Sequence, residues 1–331
     1  MSVNYTNTMG AGYRVVFLIN SLNGGGAENV VSRLSNRLSR MGHKVYLFLL
    51  YPDLDYMIDE AVEITLLEGK SHKAKARFFD EQISMIEKAS GKIDLFVSFL
   101  QGAHKVAKLS RIPDIYMSVR NYESQRFKEK SYLKYWRKKR QFQKLYHNEK
   151  LLCVCDAVKE DLLNNLNIKP KSIETLYNPY NFEEVRANAN SPLEHPIPKK
   201  FILHIGSFET TQKRQDIAIK VMEHIDDDYD LVFLGKGKQI DKYKALAKEL
   251  HLDERVHFMG WDPNPYAWIK EASVLLITSD YEGFPNVLVE SLIIGTPVVS
   301  RENYSGVDEI LTGEYEKYII KDDQGGGIEH W

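Results

Sequence analysis

Residues 278–300 read TSDYEGFPNVLVESLIIGTPVVS, a turn between an apolar strand at 273–279 and an apolar helix. Glu282 sits in the turn and Gly283 follows it. Pro285 fits the first helical position, because its ring presets the helical φ. Glu290 comes eight residues after Glu282, slightly more than one turn inside the helix. One carboxylate therefore precedes the helix and a second lies along its side. Between them, the N–H groups of the first turn lack an i−4 carbonyl, and the positive end of the helix dipole stands behind them. Such a turn can hold a diphosphate and leave carboxylates for sugar hydroxyls. On spacing alone, an ordinary αβ unit with two solvated glutamates fits equally well.

The run Glu282-Gly-Phe-Pro-Asn-Val-Leu-Val-Glu290, followed by Gly295-Thr-Pro-Val-Val, resembles the E-x7-E signature of the retaining glycosyltransferases of family 4, which have the GT-B fold. The likeness extends to Ser305-Gly306 and Glu309-Ile-Leu, where that family carries a Gly-rich turn and an E-I-L helix. A matching pattern of this length, in a strand–loop–helix context, is far more specific than two glutamates eight apart.

At 331 residues the length suggests about two domains, and 43% hydrophobic residues suffice for two cores. The net charge of −2 argues against a nucleic-acid binder. Cys153 and Cys155, the only cysteines, stand two apart on an expected strand. They would share one face and are poorly placed to bond each other, so core packing in a reducing compartment is expected. No apolar run reaches the ~18 residues of a membrane span. Residues 1–12 are polar and lack the apolar centre of a secretory signal, which points to the cytoplasm.

Apolar strands alternate with helical stretches, the mark of parallel sheets and an α/β class. In the first half, strands are expected at 14–20, 44–51, 62–67, 94–99, 115–119, 151–155 and 172–176, with helices near 27–40, 73–89, 103–109, 127–146 and 157–165. Asn178-Pro179 breaks the pattern. Pro192, Pro196 and Pro198 in a mixed polar run then suggest a linker over 181–199. The alternation restarts with strands at 201–206, 230–234, 255–259, 273–279 and 297–301. Residues 1–180 and 200–331 thus read as two Rossmann-like domains. The resemblance implies the GT-B plan, in which the parallel sheets face a central cleft, with the acceptor on the first domain and the nucleotide sugar on the second. Family members continue past the last strand with further helices. Here an expected strand at 317–321 leads into DDQGGGIEHW, which is unlike a closing helix, so a short or differently closed second domain is expected.

The first half opens with Asn23-Gly24-Gly25-Gly26-Ala27-Glu28 between a strand and a helix. Glycines let the backbone approach a ligand at the helix start. Asn29 stands where G-x-G-x-x-G would need its third glycine, and Asp53 is a poor ribose-binding acid, so a dinucleotide site is disfavoured. The resemblance implies that Gly25 and Gly26 touch donor phosphates or acceptor; a tight structural turn is the competing reading, with Glu28 a first-turn acid favoured by the dipole. In residues 201–220, FILHIGSFETTQKRQDIAIK, the family carries Gly-Arg and then a lysine seven residues after the glycine, both cations binding the diphosphate. Gly206 and Lys213 keep that spacing, but Ser207 replaces the arginine. Arg214, and Lys236 in the loop Leu234-Gly235-Lys236-Gly237, are possible supports for Lys213.

On the acceptor side, Arg120 in Met117-Ser118-Val119-Arg120-Asn121-Tyr122 falls where many family members carry a histidine. A guanidinium cannot act as a base, so Arg120 either binds a phosphate or sugar hydroxyl or is a structural ion-pair partner. His104 is a further cleft candidate, against the more common incidental histidine. Residues 126–150 carry ten Lys or Arg against two acids, interleaved with Phe127, Tyr132, Tyr135, Trp136, Phe142 and Tyr146. Such a helix reads as a surface for an anionic membrane or a lipid-linked acceptor, or else as a solvated face whose aromatics are core.

The resemblance implies a retaining, metal-independent transferase using a nucleotide-sugar co-substrate, a UDP-sugar, with a glycan or lipid-linked acceptor in surface polysaccharide or lipopolysaccharide assembly. In that reading the diphosphate lies on the amides of Asn286, Val287 and Leu288 and on Lys213. Glu282 takes donor-sugar hydroxyls and Glu290 the ribose, and Gly206, Gly235, Gly283 and Phe284 complete the nucleotide-sugar site. No histidine shows metal-ligand spacing with acids. A non-catalytic nucleotide-sugar-binding subunit, a sugar-nucleotide epimerase and an NAD-linked oxidoreductase stay open as alternatives.

Overall fold

The computed structural model describes residues 12–127, 131–193 and 200–321. The chain forms two compact units. The first comprises Met1–Arg120, Arg140–Leu152 and Ile168–Glu174; the second comprises Asn121–Lys139, Cys153–Asn167 and Thr175–Trp331.

The first half of the chain runs β1 (Arg14–Ile19), α1 (Gly26–Arg40), β2 (Lys44–Leu49), β3 (Glu63–Leu66), α2 (His72–Ser90) and β4 (Leu95–Phe99). It continues with α3 (Leu100–Leu109), β5 (Tyr116–Val119), α4 (Tyr132–Tyr146), β6 (Lys150–Cys153), α5 (Asp156–Glu160) and β7 (Ser172–Thr175). The seven strands form one sheet in the order β3-β2-β1-β4-β5-β6-β7, and β1 pairs in parallel with both β2 and β4. Val15, Phe17, Ile19, Val45, Leu47 and Leu49 share one buried cluster with Val31 of α1. The residues between them point to the opposite face, where Phe48 meets Phe79 of α2 edge-on at 5.0 Å. Burial on both faces is why these strands read as unbroken apolar runs.

The second half runs α6 (Phe182–Ala189), β8 (Lys200–Ile205), α7 (Gln215–Val221), β9 (Tyr229–Leu234), α8 (Ile240–Glu249) and β10 (Val256–Gly260). Then follow α9 (Pro265–Glu271), β11 (Val274–Ile277), α10 (Asn286–Ile294), β12 (Val298–Arg301), α11 (Val307–Ile310) and β13 (Ile319–Ile320). Its sheet is also parallel, in the order β10-β9-β8-β11-β12-β13. Alternate residues feed two cores. Leu203, Val232, Leu234, Leu275 and Ile277 pack under α9 and α10, while Ile202, Leu231, Phe233 and Leu276 pack under α7 and α8.

The α/β class and the strand order in sequence are as expected, and several local readings change. Phe182–Ala189, inside the expected linker, is a helix: Asn181 caps it by accepting from the Glu184 N–H, and Val185 and Ala189 join the core beneath α10. The strand expected to reach Cys155 stops at Cys153; Cys155 instead precedes α5, so the two buried, free thiols do not share a strand. The single helix expected at 127–146 is a 3₁₀ turn, Gln125–Phe127, and α4, with 128–130 outside the described residues. Pro285 stands just before α10 rather than at its first position. The strand expected at 317–321 is only Ile319–Ile320, and the glycine-rich segment after it lies outside the described residues. Among the described residues, no helix is long and apolar enough to cross a membrane.

The loop after β9 is tightly specified. Gly235 has φ +149, and a Cβ placed on it would lie 2.0 Å from the Gly206 carbonyl oxygen. Gly260, at φ +81, has open space there. Gly260→Ala should cost only left-handed backbone strain, about 1–2 kcal/mol. Gly235→Ala should add a steric displacement and cost about 3 kcal/mol or more. Urea unfolding of both variants measures the difference, and equal losses would contradict this packing.

Candidate active site

The sheet of the second unit reverses direction at β8. The chain adds β9 and β10 on one side, then returns to lay β11 on the other. Doubly wound sheets bind ligands outside the carboxyl ends of strands at such a switch point. The loops leaving β8 and β11 carry Lys213 and Glu282.

Lys213 lies flat because residue 206 is glycine: a Cβ there would come within 2.9 Å of the lysine Cγ. Arg214 takes a left-handed conformation (φ 49) and is tied down by its guanidinium, with Nη2 donating to Asp216 at 3.0 Å and Nη1 to Asp280 at 3.0 Å. Beneath this turn, the Thr278 hydroxyl donates to the Lys213 carbonyl at 2.7 Å and accepts from His204 Nε2 at 3.1 Å. Burial and the nearby Lys213 charge push the His204 imidazole down to about 3, so it is neutral near pH 7.

The Lys213 ammonium donates to Glu282 Oε1, and the Ser279 hydroxyl donates to the same oxygen at 2.6 Å. Both charged side chains are largely withdrawn from water, at 22% and 11% exposure. The Glu282 main chain is held on both sides. Its N–H donates to the Tyr304 carbonyl at 3.1 Å, and its carbonyl accepts from the Tyr122 N–H at 3.2 Å. The Gly283 carbonyl accepts from the Gly306 N–H at 3.1 Å and from Cys155 Sγ at 3.2 Å. Burial pushes the Cys155 thiol up to about 12, so it stays a neutral donor.

Helix α10 starts immediately beyond. Asn286, Val287 and Leu288 form its first turn, but the Leu288 N–H already donates to the Pro285 carbonyl at 3.0 Å. Of the three amides expected to meet a phosphate, that of Leu288 is thus already paired within the turn. The Asn286 side-chain oxygen accepts from Asn178 Nδ2 at 2.5 Å and from the Tyr180 hydroxyl at 2.7 Å, which fixes the helix start. Glu290 is buried and accepts from the Tyr266 hydroxyl at 3.2 Å. Phe284 meets the Tyr177 ring at 5.5 Å. Gly235 abuts the Gly206 carbonyl, Lys236 sits over the Trp261 ring at 5.2 Å, and the Ser207 hydroxyl accepts from the Glu209 N–H at 3.2 Å.

Lys213, Glu282, Glu290 and the α10 start thus belong to the second unit, whereas Gly25, Gly26 and Arg120 belong to the first. There, the Glu28 carboxylate folds back over Gly25, where a Cβ would lie 2.2 Å from Glu28 Oε2. Burial raises the Glu28 carboxyl pKa, opposed by its own N–H and by the positive charge of Arg120. The start of α1 is thus faced by its own first-turn acid. His104 is a satisfied core residue, not a cleft group: Nδ1 accepts from the Tyr146 hydroxyl at 2.9 Å, and Nε2 donates to the Ser98 carbonyl at 3.2 Å. Burial pushes its pKa down to about 4.

Sequence reasoning missed Ser279, Thr278 and His204, although a histidine interrupting FILHI and two hydroxyls just before Glu282 are visible signals. Tyr122, Cys155 and Tyr304 come from segments far from position 282 in the chain and offered none. Among the described residues, no three or more His, Cys, Asp or Glu side chains are grouped to hold a metal ion.

Residues 24–184 match the family model described as Glycosyltransferase Family 4, and residues 185–325 match the model described as Glycosyl transferases group 1. The chain is 36% identical over 152 residues to the N-acetylgalactosamine-N,N'-diacetylbacillosaminyl-diphospho-undecaprenol 4-alpha-N-acetylgalactosaminyltransferase of Campylobacter jejuni, a match covering 46% of this chain and 41% of that protein. A second enzyme of the same organism, GalNAc-alpha-(1->4)-GalNAc-alpha-(1->3)-diNAcBac-PP-undecaprenol alpha-1,4-N-acetyl-D-galactosaminyltransferase, is 26% identical over 93% of this chain and 84% of its own. The chain thus spans about two fifths of the length of the first of these relatives. Among solved structures, sucrose-phosphate synthase from Thermosynechococcus elongatus superposes with a TM-score of 0.74 at 16% identity, covering 93% of this chain and 85% of that one. The fold is GT-B. With adjoining family models spanning both halves and the Glu282–Glu290 signature at the switch point, the chain belongs to glycosyltransferase family 4.

Proposed function

We propose that this protein is a retaining glycosyltransferase that moves a sugar from a UDP-sugar to a hydroxyl of a glycan or lipid-linked acceptor in surface polysaccharide assembly. The observation that carries the reading is the contact of Lys213 with Glu282 at the β8/β11 switch point, beside the start of α10. The names of the Campylobacter relatives describe N-acetylgalactosamine transfer to undecaprenol-diphosphate-linked glycans, and the acceptor proposed here is of that chemical class.

In this reading the donor diphosphate lies on the Asn286 and Val287 amides and draws the Lys213 ammonium toward itself. Glu282, still held by Ser279, then accepts from donor-sugar hydroxyls, and Glu290 accepts from the ribose. The bond from the anomeric carbon to the phosphate oxygen breaks as the acceptor oxygen bonds to the same face. The acceptor proton passes to the departing phosphate oxygen. Lysine and helix dipole, fixed in a site of low water content, stabilise the charge that develops on the leaving group. This scheme uses no divalent ion.

The basic helix supplies a membrane-facing element in the same proposal. Tyr132, Leu133 and Trp136 are 75%, 80% and 40% exposed, and Lys139 lies over the Trp136 ring at 5.3 Å. Exposed apolar side chains ringed by cations suit a peripheral site on an anionic inner leaflet.

Thermal denaturation tests the donor assignment. UDP at 100 times its Kd should add about 2.7 kcal/mol of stability, NAD should add none, and EDTA should leave the UDP effect intact. A larger shift with NAD, or a strict need for Mg²⁺ or Mn²⁺, would sink the scheme.

Calorimetric titration of UDP separates the two glutamates. A hydrogen bond to a charged group contributes about 1.5–3 kcal/mol, so Glu290→Ala should weaken UDP roughly 10- to 150-fold. Glu282→Ala should leave UDP affinity nearly unchanged and lower turnover. Equal losses, or loss only at Glu282, would reverse these roles.

Liposome sedimentation tests the membrane element. The protein should bind anionic vesicles at low salt and release as salt rises, because the attraction is screened within about 10 Å at 0.1 M. Neutralising Arg137, Lys138, Lys139 and Arg140 together should reduce binding without altering UDP affinity. Undiminished sedimentation of that variant would mean the segment is only a solvated helix.

A further inference from the structure

Two tyrosines flank the main chain of Glu282, and the scheme above uses neither. The Tyr122 N–H and the Tyr304 carbonyl hold the carbonyl and N–H of residue 282, at 3.2 and 3.1 Å. The two side-chain rings lie 5.4 Å apart, tilted by 47°. Tyr281 and Tyr304 also form an isolated parallel bridge, which fixes the second tyrosine to the strand end carrying the glutamate loop.

The pair is built with one fixed member and one accessible member. Tyr122 is half-buried, and its hydroxyl accepts from Asn165 Nδ2 at 3.0 Å; the same amide donates to the buried Asp161 at 2.9 Å. Asp161 in turn accepts from the Ser124 N–H at 3.0 Å. That chain leaves the Tyr122 ring little freedom to turn. Tyr304 leans against it from the loop after β12 and is 48% exposed. Its ring thus offers a broad aromatic surface in the loop whose main chain is bonded to that of Glu282, and such a face suits a ligand that is apolar on one side.

We propose that Tyr304, backed by Tyr122, is a stacking platform for a pyranose ring. The apolar C–H face of a sugar matches an aromatic face, while its hydroxyls stay free for hydrogen bonds. The sugar is that of the acceptor: Tyr122 lies ten residues before the basic helix that would bring a lipid-linked acceptor to the protein. The inference rests on the glycosyltransferase reading, and its test separates failure of the one from failure of the other.

The experiment uses the full chain and the variants Tyr304→Ala, Tyr304→Leu and Tyr304→Phe. Saturation-transfer NMR with methyl α-N-acetylgalactosaminide, recorded with UDP present, reads acceptor-type sugar binding. Calorimetry with UDP and with UDP-N-acetylglucosamine reads the nucleotide and the increment from a donor sugar. The alanine and leucine variants should weaken the methyl glycoside about two- to tenfold, while phenylalanine retains it, because the ring and not the hydroxyl makes the contact. UDP affinity should be unchanged in all three, which also shows that each variant is folded. Loss of the donor-sugar increment with the methyl glycoside still bound would overturn the proposal, because the ring would then serve the donor sugar. Weaker UDP binding in Tyr304→Ala would overturn the proposal, since the ring would then serve the nucleotide. Equal binding of both sugars by wild type and Tyr304→Ala would overturn it as well. A wild-type protein that binds the glycoside through Tyr304 but not UDP would overturn the donor assignment alone.

Discussion

The loops leaving β8 and β11 are interlocked by hydrogen bonds of both main chain and side chain. The Asp280 N–H donates to the Gln212 carbonyl at 3.0 Å, Gln212 Nε2 donates to the Tyr281 carbonyl at 2.8 Å, and Thr278 reaches under the Lys213 turn. This lattice delivers an ammonium and a carboxylate to contact in a poorly solvated place. Removing one member of such a pair leaves the other charge uncompensated, which costs more than the pair itself contributes. The arrangement is therefore better understood as stored placement than as stability. In the proposed scheme an incoming diphosphate gives Lys213 a second anion and leaves Glu282 to Ser279 and to hydroxyl donors.

The same unit draws in segments that precede it in the chain. Glu309 accepts from the N–H groups of Asp156 and Ala157, at 3.0 and 2.8 Å, and from the Tyr177 hydroxyl at 2.7 Å. It thus caps α5 from the opposite end of the sequence. Cys155, just before that helix, reaches the Gly283 carbonyl, while Asn178 and Tyr180 grip Asn286. The glutamate loop and the start of α10 are each fixed by donors from residues 155–180, so this stretch is part of the site's framework and more than a connection. The boundary of the second unit, which takes in Cys153–Asn167, reflects that stitching.

Much of this was legible because the signals are local. Unbroken apolar runs such as RVVFLI and KFILHI mark doubly buried strands, and Glu282, Gly283 and Glu290 stand in one turn and one helix. Gly206 and Lys213, picked out by the family's spacing, do lie together, with the lysine stem against the glycine. The helix Phe182–Ala189 was also readable: Asn181 and Glu184 form a capping pair, obscured by the prolines downstream. What could not be read depends on contacts between distant segments. Glu309 looked like part of a helix motif, yet it serves amides more than 150 residues away. Arg214, named beside Lys213, takes a left-handed φ and pairs with both Asp216 and Asp280, neither of which its sequence position announces.

The central claim is chemical: a sugar leaves UDP at the Lys213–Glu282 site and is captured on the face it departed from. Without acceptor, water can take the place of the hydroxyl, and the first-formed anomer records the stereochemistry. Proton NMR of UDP-glucose, UDP-galactose and their N-acetylated forms, each incubated with the protein, reads that anomer before it equilibrates. The account predicts that at least one donor releases UDP and the α-sugar first, and that Lys213→Ala slows this release. Release of the β-sugar first, or no consumption of any of the four donors above the protein-free rate, would contradict it.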